Sequence, residues 1–103
     1  MNTDFYRNRL RAIRARNEVS LSIRRGSSTL TAQDMRIEYA GSRGMRLQSD
    51  AARAATQAVF ILGEPDMDIQ AEDRLTYQSK LIKVVFIQVE RQFATIAEGE
   101  VEE

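Results

Sequence analysis

The sequence predicts a mainly β fold, a small antiparallel barrel or sandwich of about six strands with a short N-terminal α-helix and a long loop. Three observations carry this expectation. Two early runs, Glu18–Arg24 and Gln33–Tyr39, alternate apolar and polar residues with a period of two. Two later runs, Thr56–Leu62 and Leu81–Val89, are rich in β-branched and aromatic residues and apolar on both sides. Between the runs stand Gly, Pro, Asp and Ser, which turn a chain rather than extend it. With 103 residues, the expectation is a single domain over 1–103. Its parts would be a helix at 4–16, a first strand pair at 18–39, a long loop at 40–57, the remaining strands at 58–97 and an acidic tail at 98–103.

The helix rests on Tyr6, Leu10 and Ile13, which recur at i, i+4 and i+7 and form one narrow apolar stripe. Thr3 or Asp4 can cap it, and Asn17 can stop it. Arg7, Arg11 and Arg14 line one flank, with Arg9 and Arg16 on the other. Such a helix either touches nucleic acid or an acidic protein surface, or packs its stripe on the sheet while its Arg stems cover apolar edges.

In the first strand Val19, Leu21 and Ile23 point inward; in the second Met35, Ile37 and Tyr39 do. A one-residue slip would invert either face, so their pairing is well specified. Gly26-Ser27-Ser28 is turn chemistry.

Residues 40–57 form the odd segment. Gly41, Ser42, Arg43 and Gly44 favour a loop, and Met45-Arg46-Leu47 is a short, exposed-looking piece. Ser49-Asp50 then opens Ala51-Ala52-Arg53-Ala54-Ala55, which suits a short helix capped by Ser49 but offers almost no apolar face. A loop of this length is expected to be mobile alone and ordered by a partner, or to be a tolerated surface insertion.

The connector 64–73 is acidic, and Gln78-Ser79-Lys80 reads as a polar turn. Strict alternation in the run after it puts Leu81, Val85, Ile87 and Val89 on one side and Ile82, Val84 and Phe86 on the other. Two-sided apolar strands are either covered on both faces within the domain or lie at a subunit contact. A last strand is expected over Gln92–Ala97, and Glu98 to Glu103 reads as a mobile tail.

The chain has no Cys and no His. That excludes disulfides, thiolate chemistry and His-dependent nucleophiles, and neither an enzyme nor a cofactor is expected. Asp66, Asp68 and Glu72 have a calcium-loop rhythm, but Ala71 replaces the turn Gly and Tyr77 the closing Glu, so no metal is expected either. No stretch is long and apolar enough to span a bilayer, and the N-terminal residues lack a signal peptide's apolar core; no membrane partner is expected. Charge is unevenly divided. Residues 1–46 carry ten Arg against four acids, a net of +6; residues 47–103 carry five basic against eleven acidic residues, a net of −6. The split suits a polyanion partner, copies meeting by unlike ends, or plain solvated charge.

One further pattern is Val59-Phe60-Ile61-Leu62-Gly63, then Asp66-Met67-Asp68-Ile69, then Asp73-Arg74-Leu75-Thr76-Tyr77, then the Leu81–Val89 strand. It resembles the small head-closure or head-completion proteins of long-tailed, lambda-like phages, and the preceding order of helix, two strands and long loop is similar too. Ser79 and Ile82 depart from the pattern, standing where a turn Gly and an aromatic are usual. The resemblance implies a structural virion protein: a β-barrel forming a ring of about six or twelve copies in the neck, assembled in the host cytoplasm. Its partners would be further copies, a portal or adaptor protein and a tail-terminator or tail protein, with DNA passing through the lumen. Contacts are expected from the loop (Met45, Arg46, Leu47 and Arg53) and from Arg7, Arg11 and Arg14. The charge split adds Asp66, Asp68 and Asp73, set against a neighbour's basic residues, with Leu81–Val89 near the subunit boundary or the barrel core. The alternatives are a tail-terminator or adaptor of the same neck, and a nucleic-acid-binding barrel using the Arg-rich helix.

Overall fold

The computed structural model describes residues 18–40, 47–55, 57–88 and 93–102. The expected helix at 4–16, with Arg7, Arg11 and Arg14, lies outside the described residues, as do Met45, Arg46 and Val89. The described chain forms one antiparallel sheet curled into a half-barrel, with one short helix. Its elements are β1 (Val19–Leu21), β2 (Arg24–Arg25), β3 (Ser28–Thr29), β4 (Gln33–Tyr39), α1 (Asp50–Ala54), β5 (Ala58–Gly63), β6 (Arg74–Tyr77), β7 (Lys80–Ile87) and β8 (Thr95–Glu102). The mainly β fold expected from the alternating runs is the one observed.

The strand order is β1-β4-β5-β8-β7-β6-β2-β3. β1 and β2 belong to the single run predicted from Val19, Leu21 and Ile23. At one end the run pairs with β4, and at the other Arg24 stands opposite Arg74 of β6. The run therefore ties the two flanks of the sheet together. It can do so because its hairpin is bulged: between Leu21↔Gln33 and Arg24↔Thr29, Ser22 and Ile23 face three residues, Leu30, Thr31 and Ala32. An extra residue on one strand bends the ladder and increases its twist.

The interior is filled by Ile23, Met35, Ile37, Val59, Ile61, Met67, Ile69, Leu75, Ile82, Val84 and Ala97, with Val19, Leu21, Tyr39, Tyr77, Ile87 and Val101 packed around them. Gly99, between Val59 of β5 and Val84 of β7, makes room for this packing. A Cβ there would come within 2.8 Å of Ile82 Cγ2 and 3.1 Å of the Lys83 carbonyl oxygen.

β5 is buried along its whole length. Val59 and Ile61 join the interior; Phe60, also fully buried, is not among the interior residues and by alternation points to the other face. Of the two expected ways of covering a doubly apolar strand, β5 shows coverage within the chain.

Three boundaries differ from the sequence reading. The strict alternation expected over Leu81–Val89 breaks at Val85: Val84 pairs with Gly99 and Phe86 with Glu98, leaving Val85 as a bulge. Ile87 consequently joins the inner set with Ile82 and Val84, while Phe86 shares the outer face with Glu98. The last strand runs over Thr95–Glu102, so residues 98–102 are not an acidic tail but part of an inner strand of the sheet. Its acids are accommodated individually. Glu98 accepts three hydrogen bonds, Glu100 stands opposite Lys83, and Glu102 Oε1 accepts from Arg74 Nε at 2.9 Å. Finally, residues 47–55 of the expected loop are built around α1. Ser49 caps it, its Oγ accepting from Ala52 N at 3.0 Å, as the Ser49-Asp50 pattern suggests.

Candidate partner-binding surface

The acidic connector between β5 and β6 contains the expected Asp66, Asp68 and Asp73, but the fold gives them different surroundings. Asp73 is 1% exposed. Its Oδ1 accepts from Arg25 Nε at 3.0 Å; its Oδ2 accepts from Arg25 Nη2 at 2.9 Å and from Gln70 N at 2.8 Å. A planar guanidinium gripping a carboxylate with both prongs is the strongest arrangement open to this pair. Arg25 Nη2 also donates to Asp68 Oδ1 at 2.9 Å. Hydrogen bonds to Asp73 first, and to Asp68 second, raise the Arg25 pKa further above its already high range.

Asp68 is tied from a second side. Its backbone N–H donates to Gln33 Oε1 at 2.8 Å, and its carbonyl accepts from Gln33 Nε2 at 2.9 Å. The connector is thus fastened to β2 by Arg25 and to β4 by Gln33. The three acids expected to face a neighbour's basic residues are therefore not equivalent within the chain. Asp73 is interior, and for Asp68 and Asp73 the basic partner from the first half of the sequence is Arg25 of the same chain.

Asp66, like Asp68, is exposed. It lines a shallow groove of about 360 Å³ with Glu18, Gln33, Asp34, Glu64 and Met67. Among the described residues no group of three or more acids is arranged to hold a metal ion. Asp68, one of the acids in the calcium-loop rhythm, is bonded to Arg25.

On the outer face a second charged feature crosses three strands. Arg24 of β2, Arg74 of β6 and Lys83 of β7 are direct cross-strand neighbours, and the row ends at Glu100 of β8. Like charges directly opposite one another repel. Arg74 is relieved by Glu102 at 2.9 Å and Lys83 by Glu72 at 3.3 Å. No single-strand pattern marks this row; only the register assembles it.

The segment 47–55 lies over β5, β7 and β8 through α1. Of the expected contact residues here, Leu47 is half-buried and Arg53 is exposed. Arg53 Nη2 pairs with Asp50 Oδ1 at 2.6 Å. The residue that sequence reasoning missed is Glu98, fully buried beneath this segment. Following an apolar strand and preceding more acids, it reads as surface. The chain has no significant match to a protein-family model, to a curated protein or to a solved structure. Among the described residues no helix is long and apolar enough to cross a membrane.

Proposed function

We propose that this chain is a structural protein of a tailed-phage virion, one copy of a ring at the head–tail junction that joins the portal or adaptor to the tail. The supporting observation is the mainly β half-barrel bearing a surface segment at 47–55 and an acidic connector at 64–73, the order that the resemblance to head-closure proteins implies. A ring needs a heterologous contact, in which two different patches of one chain meet around an axis. The unlike charge of the acidic groove at Asp66 and of Arg24, the cation of the outer row that neither Glu102 nor Glu72 engages, offers such a pair, and rim charges of this kind set register more than affinity. Further copies, the portal or adaptor and a tail-terminator protein are the partners of this reading, with DNA in the lumen.

The test is deletion of the gene from its genome. Filled heads and free tails that do not join, restored to whole particles by supplying the chain in trans, are the expected result. Normal particles made without it would rule the function out.

The competing reading, a nucleic-acid-binding barrel, draws on Arg24, Arg74 and Lys83 as well as the Arg-rich N-terminal segment. Two of those three cations are engaged by Glu102 and Glu72, so the row is a poor polyanion track. A true binder would lose affinity steeply as salt rises.

A further inference from the structure

Among the described residues, few polar contacts join the segment 47–55 to the sheet. α1 has five residues, too few to be stable as an isolated helix. Only Ala52 of the five is buried, so α1's own side chains add little apolar burial to what docking gains at the outer face of the sheet. The ion pair between Asp50 and Arg53 lies within the segment and faces solvent, with the Asp50 side chain 97% exposed. Hydrogen bonds at Ala52 N, Arg53 N and Ala55 N are likewise internal to it.

Against this weak background one attachment stands out. Glu98 projects from β8 on the outer face of the sheet, in the cross-strand row Phe60–Glu98–Phe86. Its Oε2 accepts from Gln48 N at 2.7 Å and its Oε1 from Ser49 N at 3.0 Å. Gln88 Nε2 donates to Oε2 at 3.1 Å and orients the carboxylate from β7's end. Among the described residues these two backbone donations are the only hydrogen bonds between the segment and the sheet. They fall on the residue that caps α1 and the one before it. The same carboxylate that fastens the segment therefore also fixes the start of its helix.

We propose that Glu98 is a latch and that residues 47–55 are a strap: the carboxylate clasps the strap over the outer face, and without that clasp the strap opens while the half-barrel stays folded. A strap governed by one side chain is a local opening unit, distinct from the sheet beneath it. Its opening would uncover the outer faces of β5, β7 and β8, including Phe60, now fully buried. The latch is independent of whether the chain works in a phage neck.

Glu98→Gln tests it in the full-length chain. The amide oxygen can still accept from one backbone N–H, but its NH2 group meets the other donor head-on. Charge-assisted hydrogen bonds contribute enough that exchange at Ala52 N, Arg53 N and Ala55 N should rise by roughly tenfold to a hundredfold. Exchange at the paired amides of β5 and β8 should stay as in the wild type. Should Glu98→Gln fail to fold, Gln48→Pro removes one donor from the strap and leaves the sheet untouched, and it is read at the same three amides. Faster strap exchange over a protected sheet supports the latch. Unchanged strap exchange, or strap and sheet amides lost together in a folded variant, overturns it.

Discussion

Arg25 holds Asp73 with both prongs of its guanidinium, Nε to Oδ1 at 3.0 Å and Nη2 to Oδ2 at 2.9 Å, across 48 residues of chain. The pair fastens the β2–β3 hairpin to the last turn before β6. Asp73 also positions the ladder that follows, because Val84 N donates to its carbonyl and Glu72 N donates to Val84 O, both at 2.8 Å. Replacing Asp73 by Ala removes three charge-assisted hydrogen bonds and leaves Gln70 N without its acceptor. The expected loss is roughly 2–3 kcal/mol, measurable by urea denaturation. Asp66→Lys, in the exposed groove, should change stability by no more than about 0.5 kcal/mol. If the groove is a ring contact, Asp66→Lys should nonetheless block assembly in particles. Equal stability losses for the two variants would contradict the division drawn between them.

The β6–β7 hairpin turns at Gln78 and Ser79, whose φ angles are +50° and +66°. Tyr77 pairs with Lys80, so both residues of a two-residue loop are left-handed, a conformation that favours Asn-Gly. Gln78→Asn with Ser79→Gly should raise stability by about 1 kcal/mol, chiefly by relieving the crowding of Cβ against backbone. A thermal melt checks it; a lower midpoint would show that the Gln78 and Ser79 side chains contribute contacts that outweigh this relief.

Gly99 makes the opposite case. Its position needs a missing side chain, because Ile82, Val59 and the Lys83 carbonyl crowd the space a Cβ would take. Gly99→Ala should cost about 1–3 kcal/mol through overpacking. Pairing it with Ile82→Ala, which removes the Cγ2 methyl nearest the new Cβ, should cost less than the sum of the two single changes in a double-mutant cycle.

Arg7, Arg11 and Arg14 supply a test of the proposed function. If they serve a partner rather than the fold, replacing all three by Gln should alter stability by no more than about 1 kcal/mol. Head–tail joining should fail in particles carrying the variant. Retained joining would remove these residues from the contact surface.

Much of the fold was legible in the residues themselves. Alternation placed Val19, Leu21, Ile23, Met35 and Ile37 inward, because a strand's side chains leave its two faces in strict turn. Ser49 announced a helix cap, and the doubly apolar run at 56–62 announced a strand either covered on both sides or lying in an interface. These are local properties, set by backbone geometry and by the side chains a few positions away. Tertiary structure decided what depends on distant partners. The bulge at Val85 moves Ile87 to the inner face, and nothing in Leu81–Val89 itself marks it, since every residue around the break is apolar. Asp66, Asp68 and Asp73 look alike in sequence, yet only Asp73 is interior, because Arg25 and Gln70 happen to meet it there. Glu98 reads as the start of an acidic tail. It is a buried clasp because the backbone donors of Gln48 and Ser49, about fifty residues earlier, replace the water a carboxylate would otherwise need.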